Sequence, residues 1–167
     1  LSETQYIKKY VTDHKFMGAR WAPTFVTVDA VVVQSGKVLL IKRKSSPGKG
    51  LYAMPGGFLD VEKQERLVDA MLRELKEETK IDVPLPVLRG NIRTEKVFDY
   101  PLRSARGRII THAYLIKLPD QEDMPKVKAA SDAKEAIWRN LADLTPENMF
   151  EDHHSIVETM IGYLGDV

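Results

Sequence analysis

Cysteine is absent from this 167-residue chain. That excludes disulfides, thiolate metal sites and a cysteine nucleophile, and it fits a reducing, cytoplasmic compartment. Long apolar runs are missing too. None approaches the ~18–20 residues of a membrane span, and no charged-then-apolar leader opens the sequence. Neither charge dominates: 25 Lys and Arg stand against 24 Asp and Glu, a net of +1. No global field therefore marks a nucleic-acid or membrane-surface protein, and neither partner is expected. What remains is 43% hydrophobic and 29% charged, an ordinary balance for one domain with one well-filled core. The first residue is Leu1, not Met, which reads as a piece cut from a longer polypeptide.

The pattern of elements alternates. Ser2 to Asp13 reads as a helix, with Ser2 as its cap and Tyr6, Ile7, Tyr10 and Val11 at helical spacing. A linker with Gly18, Trp21 and Pro23 follows. Phe25 to Val33 is β-branched and apolar almost throughout, as in a strand buried on both faces. A turn at Gln34–Lys37 and a strand from Val38 to Lys42 make it a hairpin. Tyr52 to Met54 is a short strand entering Gly56-Gly57. A helix is expected from Glu65 to Thr79, and Pro84 and Pro86 argue against further helix. Val87–Val97, Arg108–Leu118 and Ala136–Trp138 read as strands, Asp120–Ala130 as a surface loop, and Glu151–Leu164 as a closing helix. This order predicts an α/β fold, a mixed sheet between helices.

The densest chemistry lies in Arg73-Glu74-Leu75-Lys76-Glu77-Glu78, three carboxylates and a guanidinium in six residues. On a wheel of ~100° per residue, Leu67, Val68, Met71, Leu72 and Leu75 cover about 140°, the buried stripe. Glu74 and Glu78 border it one turn apart, and Glu77 lies just outside. Carboxylates at the edge of a core repel one another unless something neutralises them. Mg²⁺ or Mn²⁺, with hard oxygen ligands, is the natural counterion. Arg73 has two candidate partners, Glu77 at i+4 and Glu65 two turns back. The alternative is a solvated helix face with ordinary ion pairs. The preceding Met54-Pro55-Gly56-Gly57 turn weighs against it, because glycines let backbone come close to a metal or phosphate.

These residues resemble the Nudix box, G-x5-E-x7-R-E-U-x-E-E-x-G-U with U apolar. Gly57, Glu65, Arg73, Glu74, Leu75, Glu77, Glu78 and Ile81 match in order. Two departures stand out: seven residues rather than five separate Gly57 from Glu65, and Lys80 replaces the last glycine. A left-handed lysine there costs about 1 kcal/mol. The resemblance implies an α/β/α sandwich. It makes Glu74 and Glu78 the main metal ligands, Glu77 a further ligand and the Gly56 carbonyl a completing one. Arg73 and Glu65 then hold the glutamates in place, and Glu78, Glu77 and Arg73 belong to the catalytic machinery.

Specificity has to come from elsewhere. Phe98-Asp99-Tyr100-Pro101-Leu102-Arg103-Ser104-Ala105-Arg106-Gly107-Arg108 sets three arginines beside two aromatics. Arginine grips phosphate with a planar fork, and an aromatic face accepts adenine. The alternative is a basic solvated loop. This stretch, the Thr24–Ala30 opening and Pro84–Gly90 are similar to the Nudix domain of bifunctional nicotinamide mononucleotide adenylyltransferase/ADP-ribose pyrophosphatases. By that resemblance residues 1–22 are a junction from an upstream adenylyltransferase domain and 23–167 the Nudix domain. The implied reaction is metal-dependent hydrolysis of ADP-ribose to AMP and ribose 5-phosphate, in a chain that is allowed to dimerise. Arg103, Arg106, Phe98 and Tyr100 are the candidate substrate contacts, with Trp21 a further stacking candidate. Arg106 and Arg103 are favoured over Arg108. Glu135, before Ala136-Ile137-Trp138, is the candidate base or ligand, with Asp132 an alternative. The competing functions are a non-catalytic nucleotide sensor and hydrolysis of another diphosphate such as NADH. His112 reads as a core histidine, His153-His154 as a cap or surface pair, and Lys42-Arg43-Lys44 as a solvated strand end.

Overall fold

The computed structural model describes residues 1–131 and 133–165; the side chain of Phe16 is left aside. The chain opens with α1 (Glu3–Phe16), where Ser2 forms a capping box with Gln5: Gln5 N–H donates to Ser2 Oγ and Ser2 N–H to Gln5 Oε1. Of the apolar set expected to pack, Ile7 alone is buried, while Tyr6 and Tyr10 are exposed. The strands are β1 (Phe25–Gln34), β2 (Lys37–Arg43), β3 (Tyr52–Ala53), β4 (Gly56–Phe58), β5 (Ile92–Phe98), β6 (Ile109–Lys117) and β7 (Ala133–Asn140). The remaining helices are α2 (Leu67–Thr79), α3 (Leu85–Gly90) and α4 (His153–Ile161).

The sheet runs β3-β2-β1-β6-β5, with β4 on β1 and β7 on β2. The β1–β6 pair is parallel and the others antiparallel, so the sheet is mixed. Period-two alternation divides β1 between two cores. Val28, Ala30 and Val32 face α2 with Met71, Leu72 and Leu75. Val31 and Val33 face α4 with Ile156, Val157 and Met160. Strand β6 divides likewise, Tyr114 and Ile116 against Ala113 and Leu115. Each fully buried Leu or Ile stabilises the sandwich by about 1.5–3 kcal/mol relative to exposure.

Several boundaries differ from expectation. Helix α2 starts at Leu67, not Glu65, and α4 stops at Ile161 before a 3₁₀ turn at Gly162–Leu164. The expected strand from Val87 begins only at Ile92, because 85–90 is helical. Pro84 and Pro86 do not forbid that helix: they sit at its N-cap and first turn, where no intrahelical N–H is required. Strand β7 is longer than Ala136–Trp138 because it pairs with all of β2. Among the described residues no helix is long and apolar enough to cross a membrane.

Candidate active site

Helix α2 delivers the acidic cluster through its amphipathic stripe. Ala70, Met71, Leu72 and Leu75 are buried under the sheet, which fixes the rotation of the helix. Glu78 comes with them into the buried class, Glu74 lies at the border, and Glu77 is half exposed. Arg73 realises both expected pairings at once. Its Nε donates to the two oxygens of Glu65 at 2.9 Å, and its Nη1 reaches Glu74 and Glu77 at 3.1 Å each. Burial holds the Glu74 carboxyl above the usual carboxylate range, an effect that Arg73 opposes.

The two extra residues before Glu65 are absorbed in a 3₁₀ turn at Val61–Lys63. Asp60 caps it by accepting from Glu62 N–H, and Gln64 turns left-handed at φ 51°. Glu65 therefore still meets Arg73. At the far end Lys80 takes the glycine-type position, with φ 48° and its N–H bonded to the Lys76 carbonyl.

The Gly56-Gly57 turn lies against these carboxylates. Gly56 N–H donates to Glu78 Oε2 at 3.3 Å. A Cβ on Gly57 would sit 2.9 Å from the Glu74 carboxylate. One on Gly56 would collide with the Val28 carbonyl and Asp29 Oδ1. The site thus has a cradle that side chains would fill, lined by hard oxygens, and this suits Mg²⁺ or Mn²⁺. Among the described residues no three His, Cys, Asp or Glu side chains converge enough to chelate an ion alone. Backbone carbonyl and water would complete its shell.

Glu74, Glu78 and the glycine turn open onto a cavity of about 610 Å³ that Asp29, Arg43, Arg103, Arg106 and His153 also line. Asp29 is a lone acid in a strand otherwise buried on both faces, and that oddity was the sequence signal for it. Burial pushes its carboxyl up to about 6, against the 2.5 Å hydrogen bond donated by Thr111. Arg103 and Arg106 are both buried and both ion-paired. Arg103 forms a fork with Asp152 at 2.9 Å on each oxygen, and Arg106 meets Glu151 and Glu3. Arg43 is not a solvated strand end: it lies 4.0 Å over the Phe150 ring and lines the same cavity.

His153 departs from the expected cap or surface role. It is 6% exposed, and its Nδ1 accepts from Met54 N–H at 3.0 Å. Burial, with Arg103, Arg106 and Arg43 adding, pushes its pKa down to about 3. The ring is therefore neutral with its proton on Nε2. His154, by contrast, lies 3.6 Å from Glu158 at the next turn, and His112 is half-buried mid-strand, its Nδ1 without a hydrogen-bond partner among the described residues.

Other candidates lie outside this cavity. Phe98 and Tyr100 line a second hollow of about 590 Å³ beside Lys96 and Asp152, with Arg103 between the two. Glu135 faces Lys42 across the β2–β7 ladder at 3.9 Å and is not among the cavity-lining residues. Arg108 donates to the Asp99 carbonyl at 2.6 Å. Trp21 is exposed beneath the Arg20 guanidinium. Asp132 lies outside the described residues.

A sheet between helices, with a glycine turn set on an arginine-braced glutamate helix, defines the class. The chain belongs to the Nudix family: the NUDIX domain model matches residues 23–160. The family and one curated relative make it a Nudix pyrophosphohydrolase. It is 38% identical over 133 residues to an ADP-ribose pyrophosphatase of Methanocaldococcus jannaschii, covering 80% of this chain and 70% of that one. A bifunctional NMN adenylyltransferase/ADP ribose pyrophosphatase from Francisella tularensis, solved with AMP and a Mn ion, is 39% identical with a TM-score of 0.84. That match covers 98% of this chain and 48% of the other, so this chain spans about half its length. The NUDIX domain of Shewanella oneidensis NrtR, solved with ADP ribose, is 26% identical at TM-score 0.71, covering 98% and 99% of the two chains.

Proposed function

We propose that this chain hydrolyses the diphosphate of ADP-ribose to AMP and ribose 5-phosphate, with Mg²⁺ as the working ion. One observation carries the reading: a single cavity joins the Glu74/Glu78 oxygens and the glycine turn to the guanidinium groups of Arg43, Arg103 and Arg106, with Arg73 beside the glutamates. Acidic and basic walls facing one space suit a diphosphate that needs both a cation and arginines. The pyrophosphatase relative from Methanocaldococcus supports the choice of substrate. Residues 1–22 are then the junction to an upstream adenylyltransferase domain, a reading supported by the two activities named for the Francisella protein, and the compartment is the cytoplasm.

Glu74 and Glu78, with the Gly56 carbonyl, would hold the ion, and Glu77, outside the cavity lining, would be a further ligand. When bound, it supplies charge neutralisation and Lewis acidity to the diphosphate. Arg73 keeps Glu74 and Glu77 aimed, held in turn by Glu65. Arg103 and Arg106 bias the cavity towards anions, and Glu135, held on β7 opposite Lys42, is the candidate base. Phe98 and Tyr100 offer a stacking face at the neighbouring hollow.

A sensing role is the second reading. A curated ADPR-responsive transcriptional repressor of Acinetobacter baylyi is 27% identical over 145 residues, 84% of this chain and 54% of that one. The complete Arg73, Glu74, Glu77 and Glu78 set favours catalysis. Turnover of ADP-ribose, NADH and diadenosine polyphosphates, measured side by side, tests the substrate. The highest kcat/KM is expected for ADP-ribose. Tight ADP-ribose binding without turnover supports the sensor instead, and a higher value for another substrate replaces ADP-ribose.

A further inference from the structure

The first residue of α1 and the two residues before it reach the cavity. Leu1, Ser2 and Glu3 line it together with the box residues. Glu3 is 40 and 103 residues from the two groups it pairs with. Its Oε2 lies 3.4 Å from Arg43 Nη2, and its Oε1 accepts from Arg106 Nη1. The side chain keeps 32% of its exposure, so the contact sits at the cavity's edge and opens to solvent.

Both guanidinium groups are held without Glu3. Arg43 stacks 4.0 Å over Phe150 and donates Nε to the Pro47 carbonyl at 2.7 Å. Arg106 lies 5.2 Å from the Phe150 ring centre and 5.5 Å from that of Phe58, and it keeps Ser104 and Glu151 as partners. Glu3 is the carboxylate that Arg43 has among the described residues. If Glu3 swings out, the two arginines stay in place and one loses its anion. The remainder of α1 packs lightly: Ile7 is buried against Gly107, Tyr10 meets Phe25 edge-on, and Tyr6, Lys8, Lys9 and Asp13 face solvent.

We propose that Glu3 is a built-in competitor of the substrate: its carboxylate fills an anion subsite between Arg43 and Arg106 that a phosphate group of the diphosphate takes over. Helix α1 thereby gates the cavity. The substrate class rests on the function proposed above; the gate rests on the pairing alone. Carboxylate and phosphate oxygens compete for the same planar donors. An incoming phosphate has to displace Glu3, and the coupling lowers apparent affinity.

The test uses the 167-residue chain with Glu3→Gln, and with Glu3→Asp, which keeps the charge at the helix start but not the reach. Two readouts are taken. Calorimetric titration with inorganic pyrophosphate, without metal, should tighten roughly fivefold or more in both variants. The KM for ADP-ribose should fall by a similar factor with kcat retained. Adding Arg43→Gln should erase the difference that Glu3→Gln makes to pyrophosphate binding. Unchanged or weaker pyrophosphate binding in both Glu3 variants, at unchanged melting temperature, overturns the gate. Tighter pyrophosphate binding with no ADP-ribose turnover in any protein keeps the gate and removes the substrate reading. Normal turnover with unchanged pyrophosphate binding does the reverse.

Discussion

Arg73 Nε donates to both carboxylate oxygens of Glu65, at 2.9 Å each, across two turns of chain that begin before the helix does. The same guanidinium still has Nη1 free to span Glu74 and Glu77. Glu65 therefore braces the Glu74/Glu77 edge, the one proposed to bind the ion, through Arg73. Replacing Glu65 by Gln should weaken divalent-ion affinity by about 10–100-fold, read by titrating Mn²⁺ against enzyme activity. Arg73→Lys should do no better, because a single ammonium cannot bridge three carboxylates in a fork. Unchanged ion affinity in both variants would show that the brace is structural only.

The two glycines of the turn should fail differently. Gly57→Ala presses a methyl towards the Glu74 carboxylate, a flexible neighbour. It should fold with a small loss of melting temperature and a large loss of kcat. Gly56→Ala meets the Val28 carbonyl, a rigid backbone atom in the central strand. Its cost should be the larger, about 1–3 kcal/mol, visible in urea unfolding. The reverse order of stabilities would refute this placement of the turn.

Arg103 should behave chiefly as a stability residue. Its guanidinium is 2% exposed and forked onto Asp152. Removing it as Arg103→Ala strands a half-buried carboxylate and should cost about 3–5 kcal/mol. Asp152→Asn should cost less, since an amide still accepts one of the two bonds. If Arg103→Ala instead raises KM with the melting temperature unmoved, its role lies with the substrate.

His153 sets a pH dependence of stability. Its folded pKa is about 3, against an unfolded value of ~6.5. The unfolded chain binds the extra proton between those values, so stability rises with pH across the window. The contribution is complete above pH ~6.5 and is lost as pH falls towards 3, at up to about 1.4 kcal/mol per unit. Burial above all, and then the charges of Arg103, Arg106 and Arg43, keep the ring neutral. Urea midpoints of His153→Gln should vary less between pH 4 and 6.5 than those of the wild type. Parallel curves would contradict the buried neutral assignment.

The sandwich was legible because its signals are local and redundant. The β-branched run from Phe25, the turn at Ser35-Gly36 and the stripe from Leu67 to Leu75 each point to one element, and all three agree. The box was legible because its spacing is fixed by a helix. What escaped depended on contacts between distant segments. Nothing near Arg43 in sequence announces Phe150 or Glu3 as its neighbours. His153 is buried against segments distant in sequence or outside its helix, the Met54 N–H just past β3 and the Phe150 ring. The 85–90 helix was not legible from its prolines, because their effect depends on which turn they occupy. Asp29 carried a signal, an acid in a strand buried on both faces, and it was passed over.

The most direct test is AMP release from ADP-ribose with Mg²⁺, comparing wild type with Glu74→Gln and Glu78→Gln. The account predicts metal-dependent AMP formation by the wild type, abolished by chelation and reduced at least about 100-fold in both variants, with the melting temperature of Glu74→Gln near that of the wild type. AMP formation that survives both substitutions, or that needs no divalent ion, would contradict it.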